Sequence, residues 1–380
     1  MIDTIDTAVY AERLERARAS MHAHALDFLL VGPGADLLYL LGAQSRQTER
    51  LTLLIVPQDG PTTILLPAFE AATLPPLPRD VHLVKWGESD NPARIAAGII
   101  SSVNSVQPGG MYCTCGVSDA LYSVFLLRLQ AELPRAAFTT AGPVLSTLRQ
   151  IKDEREIELL AASSAVADRV FTTICDRPFV GRSEMEIGRE IAAMLEASGL
   201  TVPGFPIVAS GPNSASPHHH TGTRQIERGD VVVLDFGGTF QGYYSDITRT
   251  VFVGNLPDEG SERMRVYNLV AKAQDAAVRT GRPGMSCEQL DSVAREILTG
   301  GGYGEFFTHR LGHGIGLDGH EPPYLVQGNT TLLRAGMAAT IEPGLYLPSD
   351  FGVRIEDTVV FTNEGIRRLN NVTHDAVVIN

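Results

Sequence analysis

Apolar positions in the first part of the chain alternate between helical spacing and short continuous runs. Tyr10, Leu14, Ala17 and Met21 recur every three or four residues, which predicts a helix over residues 8–24. Later apolar runs predict buried strands, and two further segments show helical spacing. The predicted strands are 26–31, 50–56, 63–66 and 81–85, and the further helices are 91–103 and 119–131. Strands that alternate with helices predict an α/β domain with a mixed sheet.

The pattern changes at residue 148. From there the sequence LRQIKDEREIELL carries acidic residues early and begins a helical apolar stripe that continues to Phe171. We therefore predict a long helix at this point and a domain boundary immediately before it. The predicted domains are residues 1–147 and residues 148–380.

A short motif occurs twice in the second predicted domain, as GRSEMEI from Gly181 and as GMSCEQL from Gly284. Each copy has a serine followed three residues later by Glu186 or Gln289, which is the pattern of a helix-capping box. Helical stretches lie on both sides of each copy. Two unrelated capping boxes would give the same motif, but the shared order of elements favours an internal structural duplication.

Each half of this duplication ends in a pair of predicted strands, and each pair carries two acidic residues. The two arms of a hairpin lie side by side, so we expect Asp235 and Asp246 to be neighbours. The four carboxylates are then expected to meet where the two halves face each other, with helices packed outside. The strands are predicted at 231–236, 243–253, 337–342 and 352–362, and the acids are Asp235, Asp246, Glu342 and Glu356.

The predicted acidic cluster calls for cations, because four carboxylates at one place repel one another and could not all stay ionised. Two divalent cations would balance them, so the set predicts a two-metal hydrolytic centre. His313 adds an imidazole, and its glycine neighbours let the backbone approach a ligand closely. Arg354 alternates onto the face of Glu356, where it can fix the carboxylates, and it is also a candidate for substrate binding. Oxygen-rich ligands without thiolate favour Mn²⁺ or Co²⁺, with Fe²⁺ and Zn²⁺ as alternatives.

The composition excludes some classes of binding partner and indicates where in the cell the protein is located. The 380 residues carry a net charge of −13, which argues against binding to nucleic acid or to anionic membranes. No apolar run is long enough to cross a bilayer. The first residues, MIDTIDTAVYAERLER, lack the apolar region and cleavage site of a signal peptide, and the four cysteines suit reduced thiols. We therefore expect a cytoplasmic protein.

Five motifs together identify a family. Residues 148–375 resemble the metal-dependent peptidases of the pita-bread fold, which include methionine aminopeptidases, aminopeptidase P and prolidase (Xaa-Pro dipeptidase). The preceding domain is similar to the N-terminal domain of the prolidase, aminopeptidase P and creatinase branch in size, element order and the ERLTLLIVP stretch. The resemblance implies an α+β fold, with a C-terminal pita-bread catalytic domain after a smaller α/β domain. The motifs are VVVLDFGG, SDITRT, HRLGHGIGL, TIEPGLY and VRIEDTVV.

The resemblance also implies a role for each metal-binding residue. Asp235 would hold one ion, His313 and Glu342 the other, and Asp246 and Glu356 would bridge the two. A water molecule activated by both ions would be the nucleophile, and Glu342 would accept and shuttle its proton.

Four histidines are implied to contact the substrate. His218 precedes Asp235 by seventeen residues, where the family places a substrate-gating histidine. His219 stays an alternative to it, because three histidines follow one another here. His320 would contact the scissile carbonyl, and His309 would line the same pocket.

The activity implied by the resemblance is hydrolysis of the peptide bond that precedes proline, in a small peptide with proline in the second position. The proline nitrogen has no hydrogen and its ring is bulky, so peptidases that bind a hydrogen-bonded backbone accommodate it poorly. The short chain favours a dipeptidase, in which Arg46, or alternatively Arg50, would capture the free carboxylate. The alternatives are an Xaa-Pro aminopeptidase, another hydrolase or a lyase on the same scaffold, and a binding module without activity. The family also implies a homodimer.

Overall fold

The computed structural model describes residues 7–103 and 113–380, and the chain divides into two compact units, 1–149 and 150–380. The first unit ends inside its last helix, two residues beyond the predicted boundary. Its elements are α1 Thr7–Ala23, β1 Phe28–Val31, α2 Ala35–Leu41, β2 Leu53–Pro57, β3 Thr62–Pro67, a 3₁₀ helix Ala68–Thr73, β4 Val81–Trp86, α3 Pro92–Val103, β5 Thr114–Val117, α4 Ser123–Glu132, β6 Ala137–Thr140 and α5 Gly142–Gln150.

One six-stranded sheet organises the first unit, in the order β4-β3-β2-β1-β5-β6. Strand β2 runs antiparallel to both of its neighbours, and the other adjacent pairs are parallel. The sheet is therefore mixed, which confirms the prediction. The sequence analysis did not predict β5 and β6. Strand β5 has four residues, and β6 is an exposed edge strand with no apolar side to its pattern.

The second unit contains the remaining elements of the described chain. They are α6 Glu154–Cys175, α7 Glu184–Ala197, β7 Ile207–Ser210, a 3₁₀ helix Gly211–Ala215, β8 Val231–Phe236, β9 Thr239–Phe240, β10 Tyr243–Tyr244, β11 Ile247–Val253, α8 Glu262–Thr280, α9 Cys287–Gly300, a 3₁₀ helix Gly304–Phe306, β12 Gly312–Gly314, β13 Glu321–Leu325, β14 Ala338–Ile341, β15 Gly344–Leu347, β16 Phe351–Arg354, β17 Asp357–Thr362, β18 Gly365–Arg368 and β19 Val377–Ile379.

The long helix predicted from residue 148 is wrong at its start. Helix α5 ends at Gln150, and α6 begins only at Glu154. Asp153 separates them because it forms a capping box. Its side chain accepts from the amide of Glu156 at 2.8 Å, and the Glu156 carboxylate accepts from the amide of Asp153 at 3.0 Å.

The predicted duplication is confirmed by the backbone hydrogen bonds around the two motifs. Both capping boxes form, and each opens a helix of 14 residues, α7 or α9. The two copies then make the same contacts to the strand segment that follows. Gly181 donates to Ile226 and Glu184 to Arg224 in the first copy, and Gly284 donates to Leu333 and Cys287 to Thr331 in the second.

Two sheets, one from each half, are joined by a β-bridge. Their strand orders are β19-β11-β8-β7 and β13-β12-β14-β17-β18. The bridge joins Thr248 to Glu356, whose amide donates to the Thr248 carbonyl at 3.0 Å. Helices α6 and α7 pack on the first sheet, and α8 and α9 pack on the second. The α+β prediction is therefore confirmed. In residues 7–103 and 113–380, no helix combines the length and apolar character needed to span a membrane.

Candidate metal centre

Asp235 and Glu342 occupy equivalent places in the two halves. Each lies six residues after a glycine with positive φ, Gly229 or Gly336, where the chain enters β8 or β14. Gly229 donates to the carbonyl of Val253, and Gly336 donates to that of Phe361. The duplication therefore delivers one carboxylate from each half to the line where the sheets meet.

Asp246 and Asp235 are neighbours, as expected, since their ligand atoms lie within 4.8 Å, but the two residues are not directly opposite each other in the ladder. The register of β8 and β11 pairs Asp235 with Thr248, so Asp246 lies just outside the ladder, between β10 and β11. A small hairpin of β9 and β10 takes up the intervening residues, with Gln241 and Gly242 at positive φ in its turn. Asp246 is held by Thr358, whose hydroxyl donates to the Asp246 carbonyl at 2.9 Å.

The five predicted metal-binding residues come together in the second unit. Their ligand atoms and those of His320 fall into overlapping groups in which all atoms lie within 4.8 Å of one another: Asp235, Asp246 and Glu356; His313, Glu342 and Glu356; and Asp246, His313 and His320. Nε2 of His313 lies 3.3 Å from Oε1 of Glu342 and 4.0 Å from Oδ2 of Asp246. Nδ1 of His313 is 3.1 Å from the Gly314 carbonyl, which can only accept. Nδ1 therefore carries the proton, and the Nε2 lone pair faces the carboxylates.

The environment of the acids in this cluster favours the binding of cations. Burial and the charge of Asp235 raise the pKa of Asp246 well above its usual range, and burial and the charge of Asp246 do the same for Glu356. Burial raises the pKa of Glu342 to about 7, although Arg354 opposes the shift. Burial and the neighbouring His320 lower the pKa of His313 to about 3, so its imidazole is neutral. Buried carboxylates that repel one another, beside a neutral imidazole, suit divalent metal ions.

Arg354 is buried and supports the cluster from one side. Its Nη2 donates to Oδ2 of Asp235 at 2.6 Å, and its Nε donates to the hydroxyl of Thr248 at 3.1 Å. Nη1 donates to the Tyr346 hydroxyl at 2.8 Å and to the Pro217 carbonyl at 3.1 Å. These contacts favour support of Asp235 over the substrate-binding role that the sequence analysis gave Arg354.

A cavity of about 720 Å³ opens onto the cluster, which is room for a short peptide. Three of the four predicted pocket histidines line it, namely His218, His309 and His320. Pro203, Phe205, Tyr244 and Val326 add an apolar wall.

The structure does not bring His219 into this cavity. Its Nε2 lies 2.8 Å from Oε2 of the buried Glu184, and the side chain of His218, one residue earlier, lines the cavity instead. The two histidines lie in a turn closed by the hydrogen bond from the His219 amide to the Ser216 carbonyl at 3.2 Å, and their side chains take different directions from it. His218 therefore remains the candidate for substrate contact.

His320 and His309 are both oriented by neighbours. The ring of His320 stacks on that of His313, with centroids 3.7 Å apart, and its Nδ1 accepts from Arg310 at 3.1 Å. Nε2 of His320 therefore carries the proton and can donate to a carbonyl. His309 contacts the Arg310 carbonyl through Nδ1 and the Tyr346 hydroxyl through Nε2, and burial lowers its pKa to about 4.

Arg310 and Tyr346 were missed by the sequence analysis. Arg310 lines the cavity, and its guanidinium lies over the ring of Tyr324 at 4.4 Å. It stands inside the HRLGHGIGL motif, which was a usable signal. The predicted carboxylate-binding residue Arg46 lies in the first unit, where it is exposed, and its role stays a prediction. Arg50 pairs with Glu88 at 2.8 Å.

Comparisons with known proteins agree on one family. The model of metallopeptidase family M24 matches residues 158–363, and that of the creatinase/prolidase N-terminal domain matches residues 13–151. The Xaa-Pro dipeptidase of Pyrococcus furiosus is 41% identical over 263 residues, 69% of this chain and 75% of that protein. The crystal structure of dipeptidase PepE from Mycobacterium ulcerans superposes with a TM-score of 0.89 at 39% identity, covering 99% of this chain and 100% of that one. Recombinant prolidase from Thermococcus sibiricus gives 0.90 at 35% identity, covering 99% and 100%.

Proposed function

This chain belongs to metallopeptidase family M24 and is a hydrolase, and from this premise we propose that it cleaves Xaa-Pro dipeptides before proline. The observation that carries the proposal is the largely buried cluster of four carboxylates and one neutral imidazole at the floor of a peptide-sized cavity. The names of similar proteins, prolidase and Xaa-Pro dipeptidase, support this substrate class.

Membership of a metallopeptidase family implies divalent metal ions. We further propose two ions, Mn²⁺ or Co²⁺, held by Asp235, Asp246, His313, Glu342 and Glu356, because the donors are oxygen-rich and lack thiolate. Such ions, when bound, activate a water molecule and polarise the scissile carbonyl.

The chain's own groups would then handle the protons and the carbonyl. Glu342 is the proposed proton acceptor, since the Thr340 hydroxyl donates to its Oε1 at 3.2 Å and fixes the carboxylate beside the cavity. The protonated Nε2 of His320 is the proposed donor to the carbonyl oxygen of the bond that is cut. His218 and His309 are proposed to enclose the peptide, and the proline nitrogen receives its proton from Glu342 or a histidine.

The reaction is tested on enzyme stripped with a chelator and reloaded with Mn²⁺, Co²⁺ or Zn²⁺. We expect no hydrolysis of Ala-Pro without metal, release of proline after Mn²⁺ or Co²⁺ is added, and two ions per chain by elemental analysis. The tripeptide Ala-Pro-Ala should be cut poorly. Cleavage of the tripeptide but not the dipeptide would make the chain an Xaa-Pro aminopeptidase, and inactivity of the reloaded enzyme on both would overturn the proposal.

Arg310 is proposed to bind the free carboxylate of the dipeptide, because its guanidinium lines the cavity and is steadied by His320 and Tyr324. Replacing Arg310 with alanine is expected to raise KM for Ala-Pro about 10- to 100-fold, since a charge-assisted hydrogen bond contributes roughly 1.5–3 kcal/mol. Lysine at this position should recover part of the loss, and Arg46→Ala tests the residue that the sequence analysis favoured.

Ala-prolinamide, which lacks the carboxylate, is the matched control substrate. Arg310→Ala should change its KM little. An equal loss on the acid and the amide would mean that Arg310 acts through His320 rather than on the carboxylate.

The homodimer and the cytoplasmic location stay predictions from the resemblance and the composition. Light scattering of the purified protein measures the first, and fractionation of cells measures the second.

A further inference from the structure

A buried carboxylate outside the metal centre has a full set of hydrogen-bond donors. Glu184 lies in the first turn of α7, and its side chain is fully buried. Burial raises its pKa, but hydrogen bonds outweigh this effect and the net shift is downward, so Glu184 is ionised. The donors are the Ser210 amide at 2.8 Å and hydroxyl at 2.7 Å, the Asn213 side chain at 2.9 Å, His219 Nε2 at 2.8 Å and the Gly222 amide at 3.1 Å.

All these donors come from residues 210–222, the segment that carries His218. The opposite side of the same segment is tied to strand β16. The Pro217 carbonyl accepts from Arg354 at 3.1 Å, and the Ser214 hydroxyl accepts from the Gly352 amide at 2.8 Å. His218 therefore lies between one anchor at Pro217 and another at His219.

The duplicated half shows that the fold does not need a carboxylate at this place. Cys287 takes the position of Glu184 in the second copy, with the matching backbone hydrogen bond to Thr331. Cys287 is buried in the apolar cluster of that half. The same framework thus accepts a small apolar side chain, so the charge of Glu184 serves something specific to the first half.

We infer that Glu184 and His219 are positioning residues, which hold the segment so that His218 faces the cavity. The inference rests on the proposed hydrolysis of Xaa-Pro dipeptides. In this role His219 acts indirectly: its imidazole binds the Glu184 carboxylate, and His218 contacts the substrate. Small displacements of a substrate-contacting group are costly, which gives the pair a measurable effect.

The test compares His219→Ala with His219→Gln, whose side-chain amide can still donate to Glu184. We expect His219→Ala to lower kcat/KM for Ala-Pro by about 10- to 100-fold, the range typical of groups that orient an active-site residue. His219→Gln should recover most of this loss. His220→Ala is the matched control, since this neighbouring histidine is exposed, and it should leave kcat/KM unchanged. Glu184→Gln should resemble His219→Ala, because its amide group faces other donors.

A double variant separates positioning from general destabilisation. In a His218→Ala background, adding His219→Ala should lower kcat/KM by less than about twofold, because coupled residues do not act additively. Losses that multiply, or a drop in thermal stability with kcat/KM unchanged, would overturn the inference.

A crystal structure of His219→Ala gives a readout that does not depend on activity. The inference requires residues 216–221 to shift relative to the wild type and the His220→Ala variant, while the metal content stays the same. An unshifted segment refutes the positioning role even if the enzyme proves inactive on dipeptides. An inactive wild type with metal bound would instead refute the proposed function.

Discussion

Replacing Asp246 with asparagine is expected to lower Ala-Pro hydrolysis by about a thousandfold or more, within the range for loss of a catalytic group, while it stabilises the metal-free protein. Asp246 belongs to two of the three groups of close ligand atoms, so its loss affects the whole centre. Metal content, kcat/KM and the melting temperature with and without Mn²⁺ are the measurements.

The opposite signs follow from the charge of the cluster. Burial and Asp235 raise the pKa of Asp246, so in the metal-free protein its ionised form opposes folding. An acid whose pKa is raised by folding loses stability as pH increases from its unfolded to its folded pKa, whereas asparagine does not titrate. The gain from Asp246→Asn should therefore grow with pH over that interval. The variant lacks one ligand charge and should bind the metal more weakly. Adding Mn²⁺ should therefore raise its melting temperature less than that of the wild type.

Asp350→Asn is the matched control, because Asp350 is 54% exposed and its ion pair with Arg263 is long, at 3.8 Å. It should change neither activity nor metal content. A fully active Asp246→Asn enzyme with two bound ions would exclude Asp246 from the centre.

Features that depend on neighbours in the sequence could be predicted well. The capping boxes at Ser183 and Ser286 need only residues three apart, and the acids stand at the ends of strongly apolar strands. The same local signal, Asp153 followed by Glu156, also marks the true start of α6. The prediction failed there because the apolar stripe continues across the interruption.

Features that depend on distant contacts could not be predicted. Glu184 and His219 are 35 residues apart, and nothing in the apolar pattern joins them. The sequence predicts a plain hairpin through Asp235 and Asp246, whereas the small β9–β10 hairpin moves Asp246 out of the position opposite Asp235. Strand β6 lies at an exposed edge, where no apolar alternation is required. Register and side-chain direction in these places are decided by packing between elements.

A buried network of hydrogen bonds and ion pairs surrounds Asp357, next to the proposed metal-binding residue Glu356, and its loss should strongly lower the stability of the second unit. Asp357 is fully buried at the start of β17, and Arg249, its main ionic partner, is buried on β11. Burial raises the pKa of Asp357, but the charge of Arg249 and the hydrogen bond from His374 outweigh it and bring the pKa to about 2. Asp357 accepts from Arg249 at 2.7 Å, Gln274 at 2.9 Å, Arg368 at 3.0 Å and His374 at 2.7 Å.

Replacing Asp357 with asparagine is expected to lower the free energy of unfolding of the second unit by about 3–5 kcal/mol, because Arg249 would remain buried without its counter-charge. Hydrogen exchange of β11 and β17 in metal-free protein at pH 7 measures the loss. Asp275→Asn is the control: this aspartate is 42% exposed and pairs with Arg279 at 2.8 Å and with Arg368 at 3.4 Å, but it does not touch Arg249, so about 1 kcal/mol or less is expected. The Asp357 carboxylate contributes fully above its unfolded pKa and progressively less as pH falls towards 2, so the wild type and Asp357→Asn should converge in acid. Equal effects of the two substitutions at pH 7 would show that the Asp357–Arg249 pair does not hold the two sheets together.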